Sequence, residues 1–390
     1  MRSQRKYFPV NWIDGMKINK DLFIAQDNAQ QDALGESAAI GLSPMRYGIL
    51  PASAAGEDTY NVKIAADNQQ QLKVSVLGLQ AVTPGGFRIQ YPVQAGAGTD
   101  HALSASFGLP ASGAPMVYWI AVTVQPFERV PAGNPDAAEQ PPRFPYVLPS
   151  YQLHLVSESQ YLQYARNPFA LMIGKVAVNG NDVRVEEDYI PPCIATCALP
   201  DLVALHGELD QFLAGLELRC AQVVQKIFRK SQQNDLSELA QFLCDRIMLY
   251  IGQAITDMRW NLLYEPPARM FGTVIGLARM MKNTIDLRTG SGKEELMNYL
   301  SEWCELSQGE LESMLSGLTA LTYNHNDIND NIGPVIRFAK VTGKLFESLS
   351  NLEFIGKRKE SGIFVKEELH HNHTGGNAAE QPKPRRRFFG

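Results

Sequence analysis

The run Gly-Ser-Gly-Lys-Glu at residues 290–294 is the nearest approach in this sequence to a phosphate-binding loop. Such a loop needs a glycine five positions before its second glycine, and a Ser or Thr after the lysine to bind magnesium. Leu287 occupies the first of these positions and Glu294 the second. A carboxylate there would repel phosphate, whereas Ser291 and Glu294 have the spacing of a capping box. We therefore predict the start of a helix and no nucleotide site.

Metal ligands are also poorly placed. The run Asp-Ile-Asn-Asp-Asn at 327–331 begins like a calcium loop, but Ile332 stands where the loop requires glycine and Phe338 where it requires glutamate. Cys193 and Cys197 have no second Cys/His pair to complete a tetrahedral site. These patterns predict a polar turn and buried free thiols. We expect no metal and no cofactor.

Nucleophilic catalysis lacks a recognisable motif. There is no Gly-x-Ser-x-Gly elbow and no His-Glu-x-x-His pair, and the histidines before the C-terminal segment occur singly. A pair of carboxylates cannot be placed from spacing alone, so a β-sandwich hydrolase stays open as an alternative. The residue types favour a structural or interaction protein over an enzyme, with no small-molecule substrate.

Composition narrows the class further. The 390 residues are 45 % hydrophobic and 20 % charged with a net charge of -5, which is typical of a globular protein and unlike a general nucleic-acid binder. No apolar run is long enough for a membrane helix, and the basic N-terminus has no apolar stretch behind it as a secretory signal would. Five cysteines in so long a chain favour reduced thiols in a cytoplasm.

Proline usage divides the chain near residue 200. Eighteen of the 23 prolines precede that point, and none lies between Asp201 and Glu265. Before it, short β runs alternate with turn signals; residues 71–77 alternate apolar and polar side chains, and Asn-Gly-Asn-Asp at 179–182 favours a hairpin turn. We predict an antiparallel β-sandwich over residues 1–195. Within it, the six prolines of residues 130–149 predict a long irregular excursion.

After the break the periodicity becomes helical. Five apolar residues follow a 3-4-3-4 spacing, which predicts a helix with a seam for partner helices: Leu202, Leu205, Leu209, Phe212 and Leu216. A capping box at Ser307 and Glu310 predicts a further helix, and Pro334 suits the first turn of the last one. The fold class is therefore α+β multidomain, with an α-helical bundle over residues 196–355. Residues 356–390 carry a charge of +4 and a final Arg-Arg-Arg-Phe-Phe-Gly, and we predict a basic flexible tail.

The N-terminal sequence resembles the opening of a known family. In residues 9–26, Trp12, Gly15, Met16, Phe23 and Gln26 match the pattern V-x-W-x-E-G-M-x-L-x-P-Q-H-F-x-x-Q of the type VI secretion baseplate subunit TssK family. Asp replaces Glu at position 14, and Asn-Lys-Asp at 19–21 stands where the family has Pro-Gln-His. Large apolar side chains here suit anchors for a core or a partner groove, and Gly15 permits a bend between them.

Further landmarks of this family follow in the same order along the chain. They are residues 47–50 (Tyr-Gly-Ile-Leu), 82–86 (Val-Thr-Pro-Gly-Gly), 143–155 (Arg-x-Pro…Pro-x-Tyr-x-Leu-x-Leu), 188–193 (Asp-Tyr-Ile-Pro-Pro-Cys), 265–287 and 323–328 (Tyr-Asn-His-Asn-Asp-Ile). We interpret Tyr189, Ile190, Pro191 and Pro192 as a stiff inter-domain connector, because paired prolines stiffen an extended segment.

The resemblance implies a fold and a role. TssK proteins have a β-sandwich shoulder like those of phage receptor-binding proteins, a helical neck and a C-terminal head, and they form trimers. It implies a non-enzymatic, bacterial cytoplasmic protein that joins the baseplate wedge, TssF and TssG, to the membrane complex at the inner face of the cytoplasmic membrane. The motif matches end before the region where the family has its head. The contact that the head makes with the membrane complex is therefore not implied by the matched motifs.

Two interpretations from other classes stay open beside this one. The first is a tail or receptor-binding protein of a phage, against which the unpaired cysteines count. The second is the hydrolase, which requires two carboxylates facing each other in a cleft of residues 1–195.

Overall fold

The computed structural model describes residues 5–53, 58–67, 70–92, 103–109, 115–288 and 291–356. They form two compact units. Unit 1 comprises Met1–Leu202, Leu262–Met270 and Thr322–Ile332; unit 2 comprises Val203–Asn261, Phe271–Leu321 and Gly333–Gly390. The chain therefore passes between the units five times, at 202/203, 261/262, 270/271, 321/322 and 332/333.

Unit 1 is built on two antiparallel sheets. In the first, β3 is the central strand and pairs with β1, β2, β4 and β5; in the second, the order is β7-β6-β8-β9. The strands are β1 (Gly48–Ile49), β2 (Tyr60–Ala66), β3 (Gln71–Val82), β4 (Arg88–Tyr91), β5 (Leu103–Gly108), β6 (Met116–Ala132), β7 (Tyr146–Ser157), β8 (Ala170–Asn179) and β9 (Asp182–Val185). The sheets meet where the Tyr60 hydroxyl donates to the carbonyl of Ile173, at 2.7 Å.

Side-chain alternation places the core of this unit. Leu72, Val74 and Val76 of β3 are fully buried, while Lys73 between them is exposed. The turn at 179–182 forms as predicted: Asn179 pairs with Asp182 and Gly180 has φ +62°. The predicted fold class, antiparallel β structure followed by helices, is confirmed.

Two elements of unit 1 depart from the sequence interpretation. A 21-residue helix, α1 (Lys20–Ile40), lies before the first strand, in a region interpreted as β structure. The proline-rich stretch after residue 130, expected to be irregular, continues the β6–β7 hairpin as far as the pair Ala132 and Tyr146. A register shift between Gln125 and Arg129 separates this extension from the rest of the ladder, and we call residues 126–149 the arm.

Helices make up unit 2, and three of them begin in unit 1. The helices after α1 are α2 (Glu158–Ala165), which belongs to unit 1, and α3 (Pro200–Arg229), α4 (Asp235–Trp260), α5 (Pro267–Asp286), α6 (Ser291–Cys304), α7 (Gln308–Thr319) and α8 (Asn329–Asn351). The capping box of α7 forms: the Ser307 hydroxyl accepts from the backbone N–H of Glu310, whose carboxylate accepts from Ser307 N–H. Pro334 lies inside α8 rather than in its first turn.

Among the described residues, no helix has both the length and the hydropathy needed to cross a membrane.

Candidate partner-binding surface

Residues 5–18 form an extended segment, the strap, which runs antiparallel along α1. The backbone N–H groups of Lys6 and Tyr7 donate to one carboxylate oxygen of Asp32, at 2.7 and 2.9 Å, and Val10 N–H donates to the Gln26 side chain at 3.0 Å. Asp32 is buried, so the carboxylate that accepts both hydrogen bonds is shielded from water. Charged acceptors make the stronger hydrogen bonds, and this one fixes the start of the strap.

Several large apolar side chains of the strap, and Phe23 at the start of α1, lie on the outside. Phe8 is 70 % exposed, Trp12 46 % and Ile13 63 %, and Ile18 and Phe23 are exposed as well. The rings of Trp12 and Phe23 lie 6.1 Å apart, so they form one apolar surface rather than two isolated residues. We call Phe8, Trp12, Ile13, Ile18 and Phe23 the apolar patch. Large exposed apolar side chains concentrated in one part of the chain are typical of protein interaction sites.

The structure brings the five sequence-predicted anchor residues together. Trp12 and Phe23 belong to the apolar patch, Gln26 holds the strap through Val10, and Gly15 has φ +78° at the turn after Trp12. The half-buried Met16 closes that turn, since its N–H donates to the carbonyl of Ile13. The role of these five residues in binding a partner stays a prediction.

The arm lies beside the strap and was missed from the sequence. The Tyr7 ring lies 4.4 Å from that of Phe127, and the Arg129 guanidinium donates to Asp27 of α1 at 3.1 Å. Four further apolar side chains of the arm are exposed: Val130, Phe144, Tyr146 and Val147. Prolines at irregular spacing hid the strand periodicity that would have predicted this hairpin.

A second constellation unites three family landmarks from distant parts of the chain. Ile49 N–H donates to the carbonyl of Pro192 at 2.7 Å, and the Tyr189 hydroxyl donates to the carbonyl of Asn326 at 2.5 Å. Ile190 N–H donates to the side chain of Asn329 at 3.0 Å. We call these three segments, residues 47–49, 188–194 and 322–332, the clamp. All of the clamp belongs to unit 1.

The predicted connector is a buried part of this clamp. Tyr189, Ile190, Pro191 and Pro192 are all buried, and the chain leaves unit 1 only after Leu202. A Cβ on Gly48, which has φ +107°, would lie 1.9 Å from the Pro192 carbonyl oxygen, so only glycine fits against the connector. These residues are therefore part of the unit 1 core and not an exposed connector between two domains. Paired prolines fix an extended backbone in either setting, so the sequence could not separate the two.

A buried ion pair closes one side of the clamp. The Lys175 ammonium group of β8 lies 2.6 Å from an Asp327 carboxylate oxygen and 3.8 Å from Glu186. Burial raises the pKa of Asp327, and the bond from Lys175 opposes that rise. The pKa of Lys175 is raised by its carboxylate neighbours, Asp327 first, against the opposing effect of burial. The charges compensate one another, which is the arrangement of a structural contact.

His325 closes the other side. Its Nε2 lies 2.9 Å from the Tyr47 carbonyl oxygen, which can only accept, so Nε2 carries the proton. The Tyr323 hydroxyl then donates to Nδ1 at 2.9 Å. Burial lowers the pKa of His325 to about 4, and the bond to Tyr47 opposes this shift. The ring is thus a neutral, doubly bonded part of the core.

The described residues contain no group of three or more His, Cys, Asp or Glu side chains placed to hold a metal ion. The carboxylates of Glu186 and Asp327 both face Lys175, which differs from the paired carboxyls of a glycosidase. Lys293 of the phosphate-loop-like run is bound by Asp286 and Glu312, at 2.8 and 2.9 Å. Residues 289–290 lie outside the described part of the chain.

The predicted seam of α3 is buried within the single chain. Four of its leucines, Leu202, Leu205, Leu209 and Leu216, have no exposed surface, and Phe212 has 9 %. A side chain buried by its own chain has no surface to offer a second copy, so we correct the assignment: these are core residues. Apolar residues at heptad spacing predict a packed helix face without saying which chain supplies the partner.

A different face of α3 is open. Residues at alternating spacings of four and three are all exposed or partly exposed along it: Gly207, Gln211, Ala214, Leu218, Ala221, Gln225 and Phe228. Leu218 is 61 % exposed and Phe228 65 %. We call these seven residues the outer stripe. Sequence reasoning missed it because small and polar residues dilute its apolar pattern. The tail predicted at 356–390 lies outside the described residues, apart from Gly356.

The chain was compared with protein-family models, curated proteins and solved structures. No family model and no curated protein matches it. It is similar to the baseplate complex from the type VI secretion system, with 13 % identity, a TM-score of 0.47, and coverage of 87 % of this chain and 99 % of that one. A crystal structure of TssK gives 15 % identity, a TM-score of 0.45, and coverage of 88 % and 72 %. The TssK-TssF-TssG baseplate subcomplex is similar with 14 % identity, a TM-score of 0.41, and coverage of 88 % of this chain and 100 % of that one.

Proposed function

We propose that this chain is a non-enzymatic baseplate component of a type VI secretion system, a contractile machine resembling a phage tail. It acts as a homotrimeric connector in the cytoplasm. One surface holds the wedge proteins TssF and TssG, and another faces the membrane-associated complex at the inner face of the cytoplasmic membrane. Its mechanism is the positioning of neighbours and not the conversion of a substrate.

One observation carries this proposal: residues of three family landmarks that lie far apart in the sequence meet in the clamp. Tyr47, Tyr189 and His325 belong to three different landmarks and are bonded within the clamp. Trp12, Phe23 and Gln26 come from the N-terminal landmark and lie on or beside the apolar patch. A chance match of single motifs would leave these residues scattered in space.

The apolar patch is the surface that we assign to the wedge. It is exposed, it combines two aromatic rings with aliphatic side chains, and it is displayed on a segment fixed by a buried carboxylate. Rigid aromatic side chains are the groups that most often dominate binding energy at protein interfaces. A partner with a complementary apolar groove would therefore gain affinity at little cost in ordering.

The outer stripe of α3 supports assembly into a trimer. Its four-three spacing returns to one side of the helix every seven residues, which suits packing against helices of identical chains. Gly207 has open space where a Cβ would lie, so a neighbouring helix can approach closely. Leu218 and Phe228 supply the large apolar contacts.

The mass of the assembly tests the proposal. We expect light scattering of the full chain at micromolar concentration to give about three times 43.2 kDa. Leu218→Glu places a charge in the outer stripe and should lower this mass toward 43.2 kDa with an unchanged circular dichroism spectrum. Leu287→Glu, at an exposed leucine beyond the end of α5, is the matched control and should leave the trimer intact. A single-chain mass for the natural sequence would overturn the trimer.

A further inference from the structure

The segment 322–332 returns to unit 1 between two stretches of unit 2, and the clamp is what holds it there. Five of its side chains bond to other parts of unit 1: Asn324 to Tyr161, His325 and Asn326 to Tyr47, Asp327 to Lys175, and Asn329 to the backbone of Ile190 and Asp188. The backbone carbonyl of Asn326 accepts from the buried Tyr189. We propose that this segment is a latch that stays closed only while His325 is uncharged.

The geometry of the His325 ring supports this assignment. The side chain is 5 % exposed, and the Tyr47 ring packs edge-on against it at 4.6 Å. Both ring nitrogens have partners, Nε2–H donating to a carbonyl and Nδ1 accepting from Tyr323. A second proton can enter only at Nδ1, where it would meet the Tyr323 hydroxyl that now donates. That hydroxyl would have to turn round, and the resulting cation would still be buried.

Within the part of the chain that the structure describes, no carboxylate faces the ring to stabilise such a cation. The titratable groups against it are Tyr47, from the segment before β1, and Tyr323, from its own segment; the thiol of Cys193 interacts with Tyr323. Burial raises the pKa values of Tyr47, Tyr323 and Cys193, so all three are neutral near neutral pH. The carboxylates of the clamp, Asp327 and Glu186, face Lys175. A charged His325 would therefore be an uncompensated buried charge.

The direction of the pH dependence follows from linkage. The closed form holds His325 neutral down to a pKa of about 4, whereas a solvated histidine titrates near 6.5. The open form therefore binds more protons between these values, and closure weakens as the pH falls through that window. Asp327 acts in the opposite sense: burial raises its pKa, so its protonation favours the closed form. The weakening of closure that is expected from His325 alone is therefore an upper limit for the whole segment.

Hydrogen exchange on the full chain tests the latch. After correction for the intrinsic pH dependence of amide exchange, protection of peptides within 322–332 should fall by up to about 30-fold between pH 7.5 and pH 5. His325→Gln keeps a side-chain donor without a titrating group and should remove this change. His206→Gln is the matched control, since His206 also bonds a backbone carbonyl, that of Met258 in unit 2, and it should keep the full change.

Three outcomes overturn the proposal. Protection in the natural chain that changes less than about twofold would show that His325 does not control closure. A full change that persists in His325→Gln would assign the pH dependence to another group. If His325→Gln does not fold, the histidine ring resonances of the His154→Gln chain decide the matter. Burial also lowers the pKa of His154, so this variant removes a ring that could be confused with His325. The proposal then expects a ring that remains neutral at pH 5. Titration of every histidine near pH 6.5 would then exclude the latch.

Discussion

The clamp and the strap use residues of the same sequence resemblance in opposite ways. In the clamp, tyrosine, histidine and proline residues are buried, and hydrogen bonds join segments up to more than 270 positions apart, as between His325 and the Tyr47 carbonyl. In the strap, the backbone is fixed and the rings of Phe8 and Trp12 are exposed to solvent. Residues of one motif resemblance can therefore be buried in the fold or left exposed, and only the exposed ones have surface to offer a partner.

Gly48→Ala is expected to have the largest effect on stability, because Gly48 packs directly against the backbone of Pro192 in the clamp. The new Cβ would lie 1.9 Å from the Pro192 carbonyl oxygen at a φ of +107°. We expect a loss of more than about 4 kcal/mol in the free energy of unfolding, measured by urea denaturation. Gly15→Ala is the matched control in the strap: its φ is also positive, at +78°, but the space around it is open, so about 1 kcal/mol should be lost. Equal losses would show that backbone strain, and not the connector, sets the effect.

Lys175→Met should be next in size. It leaves the buried Asp327 carboxylate without its ammonium partner, which typically costs about 3 kcal/mol. The double variant Lys175→Met with Asp327→Leu removes both charges and should recover most of that loss in the same denaturation experiment. Arg143→Met is the surface control, since its pair with Glu139 is exposed, and it should change stability little. If the double variant were no better than Lys175→Met alone, the cost would come from lost packing.

The smallest effect on stability should come from the apolar patch. Trp12→Ala with Phe23→Ala removes two exposed rings and should change the free energy of unfolding by less than about 1 kcal/mol. The same variant should lose co-purification with TssF and TssG. Leu34→Ala with Ile40→Ala, also exposed on α1, is the matched control and should retain the complex. Wild-type recovery of the wedge proteins by the first variant would remove the apolar patch from the interface.

Parts of the fold could be predicted because their pattern is local. The alternation in β3 and the Asn-Gly turn after β8 are set by neighbouring residues, and both form as expected. Helix α1 was missed because the side it buries consists of Ala29, Asp32 and Gly35, which give no apolar periodicity. Its Asn19 cap, which accepts from Leu22 N–H, was the available signal.

The site could be predicted only in part, for a related reason. Trp12 and Phe23 are recognisable as anchors from residue type alone, but their exposure depends on which face of α1 and which side of the strap are covered. The α3 seam shows the converse: its leucines were recognised as a packing face, and the partner proved to be the same chain. Long-range pairs such as Tyr189 with Asn326 have no spacing rule at all.

The five passages between the units have a consequence for synthesis. Unit 1 contains residues 5–53 and also residues 322–332, so a ribosome must synthesise the helical segments between them before that unit has all its parts. The described strands of its two sheets all precede residue 186, so the sheets can pair while the 322–332 segment of the clamp is still missing. No single break in the gene would yield two fragments that each contain a whole unit. Unit 1 is therefore begun first and completed late, and neither unit can be produced as a single uninterrupted fragment of the chain.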